Sequence, residues 1–260
     1  MKKYLFPLFL LAMFATVSCV EEDETDNSQN DENNTPQTET IYKLKEYKLN
    51  IADLGVTNVT LTYNDDLVTS ATRNFTSVND ESSTSVTDYT YDSEGRVTEA
   101  KIDGVKDHEF IYSSDKIIYK GYYLGEPSYE YEWTLNSDGK IIKSFNVNFE
   151  DYDEYQWDGE NLLKMSSYNA DGELTSETVY VYDEEILTPG YGTYYDEHPA
   201  KQSVNVAIEK NWIYDGDDDI TIYSLLSNDG SYLTKRTFDS GYFGTSTTTY
   251  TYETTEIEVE

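Results

Sequence analysis

Apolar and polar side chains alternate one by one along much of the chain, and the 3.6-residue spacing of amphipathic helices is hard to find. Residues 128–135 place four apolar side chains on one face of an extended chain: Tyr129, Tyr131, Trp133 and Leu135. Residues 140–149 repeat the pattern with Ile141, Phe145, Val147 and Phe149. Such alternation is typical of strands that bury one face. We therefore predict β-strands with these side chains on the buried face.

Turn signals separate these runs at short intervals. Each is an acidic residue followed by glycine, and they occur at Glu94-Gly95, Asp103-Gly104, Asp138-Gly139, Asp158-Gly159, Asp171-Gly172, Asp215-Gly216 and Asp229-Gly230. These dipeptides favour the left-handed backbone that tight hairpin turns require. The chain is therefore predicted to fold into hairpins.

An aromatic-x-aromatic-aspartate pattern precedes several of the turns. Its clearest copy is Y-T-Y-D-S-E-G-R-V at 89–97, and the second aromatic residue recurs at 91, 112, 133, 157 and 182. At about 3.3 Å per residue, intervals of this length fit two strands and two turns. Consecutive hairpins form an up-and-down antiparallel meander, and about fourteen strands in one layer must curl to bury their apolar face. The predicted fold class is all-β, with repeated hairpins forming one large curled sheet or a partly closed barrel.

The first 18 residues have the three parts of a secretory signal peptide. Lys2 and Lys3 supply the positive charge, and residues 4–15 form an apolar run too short to span about 30 Å of hydrocarbon as a helix. The run ends in T-V-S-C at 16–19, which resembles a lipobox, and Cys19 is the only cysteine. We expect cleavage before Cys19 and membrane anchoring through lipid on its sulfur. The alternative is an ordinary signal peptide that leaves a free thiol.

Residues 19–40 are expected to combine the lipidated cysteine with a disordered tether, followed by a single β domain at 41–260. Residues 20–40 carry eight acidic side chains and no basic one, and such a composition cannot bury enough apolar surface to fold. The acidic cluster directly after Cys19 resembles the export signal of Bacteroidetes-type surface lipoproteins, which implies the outer leaflet of the outer membrane. The alternative is a solvated spacer. The cluster consists of Glu21, Glu22, Asp23 and Glu24.

These features together resemble known bacterial proteins. The pattern at 89–97 is similar to the tyrosine–aspartate repeat of shell-forming bacterial and cell-surface proteins. The leader, the lipobox, the acidic tether and the degenerate hairpins resemble a family of Bacteroidetes lipoproteins of unknown function with a porin-like β-meander. This resemblance covers most of residues 60–253 and implies a fold and a cell-envelope location. It implies no activity, because that family has none assigned, and large shells need many more repeats.

The chain is strongly acidic, with a formal net charge of −33 that becomes −35 when the leader with Lys2 and Lys3 is removed. This charge repels phosphate backbones and anionic lipid, so it excludes nucleic-acid binding and membrane binding through a basic patch. The membrane contact that we expect is the lipid anchor.

Residues suited to nucleophilic catalysis are scarce. The sequence lacks a G-x-S-x-G motif and a phosphate-binding loop, and its two histidines, His108 and His198, are ninety residues apart. An Asp/Glu pair could serve a polysaccharide hydrolase. However, 51 acidic residues make close pairs frequent by chance, so the sequence singles out no catalytic residue.

The densest acidic cluster of the folded region offers candidate calcium ligands at Asp215, Asp217 and Asp219. Oxygen-rich turns suit Ca²⁺, but the EF-hand spacing is absent, with Ile220 and Leu226 at the glycine and glutamate positions. A solvated hairpin turn is the alternative. No other cofactor is expected.

Tyrosine is unusually frequent, with 26 in 260 residues. Tyrosines at repeat positions are expected to form cross-strand ladders, worth about 0.2–1 kcal/mol per pair. Tyrosine also suits recognition of carbohydrates and proteins, because it joins a rigid apolar ring to a polar tip. Those outside the regular pattern are the candidate ligand contacts: Tyr122, Tyr123, Tyr191, Tyr194 and Tyr195.

The sequence thus favours an outer-membrane surface lipoprotein that acts as a non-catalytic binding or structural module for a glycan or a protein. Two alternatives stay open. One is a polysaccharide-active hydrolase that uses an Asp/Glu pair, and the other is an accessory subunit of an outer-membrane transporter.

Overall fold

The computed structural model describes residues 37–188, 203, 205–214, 217–227, 232–239 and 244–259, with side chains left out at 37–39, 217–218 and 257–259. Every regular element in these residues is a β-strand, which confirms the all-β prediction. The described part of the chain contains no helix that could cross a membrane. The predicted lipid-attachment residue and the acidic cluster after it lie outside these ranges: Cys19, Glu21, Glu22, Asp23 and Glu24.

Seventeen strands make up the fold, three more than the turn spacing predicted. The first nine are β1 (Gln37–Ile51), β2 (Gly55–Asn64), β3 (Leu67–Ser77), β4 (Ser82–Tyr91), β5 (Val97–Ile102), β6 (Val105–Tyr112), β7 (Lys116–Tyr123), β8 (Glu126–Leu135) and β9 (Ile141–Asn146). The others are β10 (Tyr152–Asp158), β11 (Asn161–Tyr168), β12 (Leu174–Leu187), β13 (Asn205–Tyr214), β14 (Asp217–Ile222), β15 (Ser224–Ser227), β16 (Leu233–Asp239) and β17 (Thr245–Val259). Strand β1 begins four residues before the predicted start of the β domain at 41, and Gln37–Val259 is the first pair of its ladder with β17.

The strands form one antiparallel up-and-down sheet that curls into a nearly closed barrel. From β1 to β14 each strand pairs with the next one in sequence. Strand β16 pairs with both β15 and β17, and β17 pairs with β1. The ladder between β1 and β17 runs over most of both strands and joins the first described strand to the last.

One seam interrupts the ring, at Tyr223 between β14 and β15. Strand β14 pairs with β13, whereas β15 pairs with β16, and only Tyr223 separates the two strands. The two strands are therefore one continuous segment whose first part pairs with β13 and whose second part pairs with β16. A closed antiparallel ring needs an even number of strands that alternate in direction. Because β14 and β15 run in the same direction as one continuous segment, the seventeen strands count as sixteen around the ring.

The concave side of the sheet, called the inner face below, holds the core. Trp133 is 1% exposed, and Tyr129, Tyr131 and Leu135 pack against the buried cluster around it. This confirms the buried face predicted for residues 128–135. Rings stack on this face across neighbouring strands, for example Tyr119 on Trp133 with 5.1 Å between their centroids.

The buried face predicted for residues 140–149 is wrong beyond Ile141. The ladder with β8 skips Ile142, which is a β-bulge, so every later side chain changes face. Ser144 and Asn146 are therefore buried on the inner face, whereas Phe149 is 71% exposed. Alternation in sequence cannot reveal such a shift, because the extra residue has no distinctive side chain.

Aromatic side chains near one end of the strands donate hydrogen bonds to backbone carbonyls of the preceding strand. The Tyr112 hydroxyl on β6 donates to the Val97 carbonyl oxygen on β5, at 2.7 Å. Five further bonds have the same form: Tyr63 to Leu44, Tyr91 to Val68, Trp157 to Ile141, Tyr182 to Leu162 and Tyr252 to Leu233. We call these six bonds the rim bonds.

Every rim bond ends at a bulge. The acceptor residue comes directly before a register shift in all six cases, as Val97 comes before the skipped Thr98. A bulge leaves a backbone group outside the ladder, and the aromatic side chain satisfies it. Four of the five predicted recurring aromatic positions are rim donors.

Strand β8 has no rim bond among the described residues, and the predicted repeat position at Trp133 is wrong. Leu135 pairs with Ile141 as Tyr112 pairs with Ile117, so Leu135, not Trp133, occupies the rim position. Leucine cannot donate a hydrogen bond, and the ladder between β6 and β7 passes Ile117 without a bulge. The donor and the bulge are therefore lost together.

Charged side chains occupy the outer face of the sheet. Lys120 on β7 pairs with Glu130 on β8 at 3.4 Å, and Lys164 on β11 pairs with Glu177 on β12 at 2.6 Å. Lys116 and Glu132 form a third cross-strand pair. A lipid-facing barrel instead carries an apolar outer band, in which each Lys or Arg costs about 2–4 kcal/mol at the midplane. The outer faces of these strands therefore carry charged pairs at positions where a lipid-facing barrel carries apolar side chains.

Candidate functional site

A cleft of about 510 Å³ opens at the end of the barrel between the β9–β10 and β11–β12 turns. Its lining joins aromatic and polar side chains from both faces of five neighbouring strands, β8 to β12, and from the two turns. The residues that matter below are Tyr131, Asn146, Phe149, Asp151, Tyr152, Asp153, Ser167, Tyr168 and Asn169.

Two parallel tyrosine rings form the outer wall of the cleft. Tyr152 and Tyr168 are cross-strand partners on β10 and β11, with 4.7 Å between ring centroids and 14° between ring planes. Phe145 is the partner of Tyr152 on β9, so three aromatic residues lie in one row across three strands. The Lys143 ammonium lies 3.7 Å from the Tyr152 centroid. These cross-strand and cation–π contacts fix the positions of the rings. We call the row of Phe145, Tyr152 and Tyr168 the aromatic platform.

Two asparagines shape the turns on either side of the platform. The Asn146 side-chain oxygen accepts hydrogen bonds from the Asn148 and Phe149 backbone N–H groups, at 3.1 and 3.4 Å. This turn places the Phe149 ring beside the cleft, with 71% of its surface exposed. The Asn169 side-chain oxygen accepts from the backbone N–H groups of Asp171 and Glu173 in the same way. Such local bonds explain why asparagine is favoured in these turns.

Polar groups line the inner wall. Asp153 lies opposite the buried Ser144 and accepts a 2.6 Å hydrogen bond from the Ser167 hydroxyl. The Asn146 amide donates to the Tyr131 hydroxyl at 3.5 Å. Burial raises the pKa of Tyr131, and the nearby carboxylates of Asp151 and Asp153 raise it further. The Tyr131 hydroxyl therefore stays protonated at neutral pH and can donate to a ligand.

Aromatic rings beside carboxylates and amides suit one kind of ligand chemistry. Ring faces bind the C–H faces of flat, weakly polar molecules, and carboxylate and amide oxygens accept hydrogen bonds from hydroxyl groups. Volumes of about 300–1,000 Å³ are usual for ligand pockets. The cleft therefore has the size and groups to hold a polyhydroxylated ligand.

Two of the sequence-predicted ligand contacts lie away from this cleft, at the β7–β8 hairpin. Tyr122 is half-buried, and its hydroxyl donates to Glu109 at 2.8 Å while the Lys106 ammonium lies 4.7 Å from its ring centroid. Tyr123 is 72% exposed. The other three, Tyr191, Tyr194 and Tyr195, lie outside the described residues.

The candidate calcium ligands are described only in part. Asp219 is exposed on β14 opposite Trp212, Asp217 is described without its side chain, and Asp215 lies outside the described ranges. Within the described part of the chain, no group of three or more His, Cys, Asp or Glu side chains could hold a metal ion.

His108 is a core residue on β6, 3% exposed. Its Nδ1 atom lies 2.7 Å from the Asp107 carboxylate, and its ring makes an edge contact with Phe110. Its burial keeps it from a substrate in solution. His198 lies outside the described residues.

Sequence reasoning missed the cleft because its parts resemble ordinary strand residues. Tyr152 and Tyr168 are sixteen positions apart, and only the β10–β11 register places them side by side. The available signal was the asparagine near the end of each preceding strand, Asn146 and Asn169, which marks two turns on the same edge of the sheet.

No protein-family model matches the sequence, and no curated protein matches it either. Among solved structures, the chain is similar to a porin-like protein from Bacteroides uniformis, with a TM-score of 0.44, 13% identity and coverage of 81% of this chain and 96% of that one. It is also similar to a porin-like protein from Bacteroides vulgatus, with a TM-score of 0.44, 11% identity and coverage of 82% and 99%.

Proposed function

We propose that this protein is a lipid-anchored binding module of the cell envelope that holds a neutral glycan in the cleft between the β9–β10 and β11–β12 turns. One observation carries the proposal: the stacked pair Tyr152–Tyr168 and the exposed Phe149 border a cleft whose other wall is polar. A sugar ring is apolar on its faces and hydroxylated at its edge, so it matches both walls.

The platform is suited to binding without a large rearrangement. The strands fix Tyr152 and Tyr168, and the Lys143 ammonium lies over the Tyr152 ring. Rigid aromatic rings lose little conformational entropy on binding, which favours affinity. Phe149 lies in a turn with 71% of its surface exposed, so its ring has room to adjust to the ligand.

The proposed location rests on the leader and on the outer face. Lipid on Cys19 would hold the chain at the membrane, and Glu21 to Glu24 would direct it to the cell surface. The Lys–Glu pairs on the outer face suit a barrel that stands in water beside the membrane. Glycans outside the cell would then reach the cleft directly.

A hydrolase is the second candidate, because Asp151 and Asp153 both line the cleft. Glycosidases use two carboxyl groups on either side of the bond they cleave. Prolonged incubation with each bound oligosaccharide distinguishes the two functions. We expect no new reducing ends, whereas release that Asp153→Asn abolishes would establish the hydrolase.

The proposal is tested by calorimetric titration of the full lipidated protein with neutral oligosaccharides of glucose, xylose and mannose. Phe149→Ala should weaken binding by about tenfold, since an interfacial aromatic truncation often costs more than 1 kcal/mol. Tyr123→Ala is the matched control, because Tyr123 is 72% exposed and Phe149 71%.

The control variant should bind like the wild type. If both variants lost affinity equally, or if only Tyr123→Ala lost affinity, the oligosaccharide would not bind in the cleft. Absence of binding to every neutral oligosaccharide would also contradict the proposal.

A further inference from the structure

The inner face beside the seam carries an arginine, Arg236, whose Nε atom is buried and has no hydrogen-bond partner among the described residues. Tyr223, the residue at the seam, donates its backbone N–H to the Ile208 carbonyl oxygen at 2.9 Å. Arg236 on β16 lies with its guanidinium carbon 5.3 Å from the Tyr223 ring centroid. The Tyr223 ring also contacts the Phe238 ring, with 5.2 Å between the two centroids.

The strand register places Arg236 on the inner face. Its cross-strand partner on β17 is Thr248, which is 5% exposed, and partners in an antiparallel pair share a face. The Nε atom of Arg236 is buried and has no hydrogen-bond partner among the described residues. A buried N–H donor without a hydrogen-bond partner is costly, so this nitrogen needs an acceptor from an anion or from water.

A second cation lies on the same face across the seam. Lys210 on β13 pairs with Tyr180 on β12 and with Thr221 on β14. Tyr180 is two residues from Thr178, which is 1% exposed, so Lys210 shares the inner face. Thr221 in turn is two residues from Tyr223. Lys210 and Arg236 therefore flank Tyr223 from the two sides of the seam.

Cations without a carboxylate partner in the described part of the chain are unusual in so acidic a protein. Most of the described cations on β5 to β11 have an acidic partner, as Lys106, Lys120 and Lys164 do. Among the carboxylates whose side chains are described, none forms an ion pair with Lys210 or Arg236. On this face Asp219 lies one cross-strand pair beyond Lys210.

We propose that Arg236, Lys210 and Tyr223 form an oxyanion-binding site on the inner face at the seam, which takes a carboxylate or sulfate group. Arginine presents a planar fork of N–H donors that matches the two oxygens of such a group. The Tyr223 ring under the guanidinium holds the fork in place. The acidic surface does not prevent this, because physiological salt screens charges beyond about 8 Å.

The site is tested by titrating the full lipidated protein with sodium sulfate, glucuronate and glucose at constant ionic strength. Sulfate and glucuronate should bind with saturation, and glucose should not compete with either. Arg236→Gln should weaken oxyanion binding by about tenfold or more, because it removes hydrogen bonds to a charged group. Lys210→Gln should weaken it to a smaller degree, and Arg236→Lys should retain part of it.

Lys235→Gln is the matched control, because Lys235 is the exposed neighbour of Arg236 and its removal changes the net charge equally. Circular dichroism and melting of each variant show whether the fold is kept. Equal affinity for sulfate and glucuronate indicates a site for the free oxyanion, and tighter glucuronate binding indicates an acidic saccharide. The proposal is overturned if a folded Arg236→Gln protein binds both anions like the wild type, or if neither anion binds. Neither result bears on the neutral-glycan cleft, which uses other residues.

Discussion

The Tyr112 hydroxyl donates a 2.7 Å hydrogen bond to the Val97 carbonyl oxygen, immediately before the bulge at Thr98. This pairing of an aromatic donor with a bulge carbonyl recurs at six positions around the barrel. It gives the recurring aromatic residues a structural role, which separates them from the aromatic residues of the cleft.

Tyr112→Phe removes the hydroxyl and keeps the ring. Because the Val97 carbonyl then lacks its partner, we expect the free energy of unfolding to fall by about 1 kcal/mol. Urea denaturation measures this change. Tyr123→Phe is the control, since Tyr123 is exposed and should show no change. Equal stability of Tyr112→Phe and wild type would show that the rim bonds contribute nothing.

Trp133→Ala removes the largest fully buried side chain of the described residues. Deleting a buried aromatic side chain usually costs about 3–5 kcal/mol, a large part of the 5–15 kcal/mol that a domain has in total. We expect a large fall in melting temperature or loss of the folded state. Tyr214→Ala, at an exposed position, is the comparison. A larger effect at Tyr214 would mean that the buried face has been assigned wrongly.

Alkaline pH should destabilise the barrel through the rim tyrosines. Burial raises the pKa of Tyr63 and of Tyr91 to about 12, above the usual value of about 10. Below pH 10 these groups are protonated in both states. Between pH 10 and 12 the unfolded chain loses protons that the folded chain keeps, so stability falls as pH rises. Denaturation at stepped pH tests this, and Tyr91→Phe should make the fall shallower. A free energy of unfolding that stays constant from pH 10 to 12 would refute the argument.

The alternation of apolar residues and the acidic-glycine turns were sufficient to predict strands, hairpins and a curled sheet. Asp103 and Gly104 illustrate why: both have positive φ, 51° and 81°, as a two-residue hairpin turn requires. The bulges could not be predicted, because residues such as Ile142 and Thr98 look like their neighbours in sequence. The inner face of β9 was therefore assigned wrongly.

The cleft was beyond sequence reasoning for a related reason. Its platform depends on the pairing of Tyr152 with Phe145 and Tyr168, which follows from two hairpin registers. The tyrosines chosen from sequence were those outside the repeat, and of these Tyr122 forms a hydrogen bond with Glu109 instead of lining the cleft. Irregular spacing does not select Tyr152 and Tyr168, because both lie in regular strands.

Cys19→Ala tests the anchor. Since Cys19 is the only cysteine, the variant should lose both incorporation of a palmitate analogue and sedimentation with membranes. The control is Ser18→Ala, which keeps a small residue before the cysteine and should be labelled like the wild type. Equal labelling of Cys19→Ala and wild type would exclude the lipoprotein assignment.

The central claim is that a glycan occupies the cleft beside Phe149. Fluorine NMR of protein labelled with 4-fluorophenylalanine tests it directly, because the sequence has only nine phenylalanines and Phe149→Ala assigns the signal. On titration with a neutral oligosaccharide that binds, the Phe149 signal should shift with saturation, whereas the signal of Phe110, 3% exposed in the core, should stay unchanged. A bound oligosaccharide that leaves the Phe149 signal in place would contradict the account.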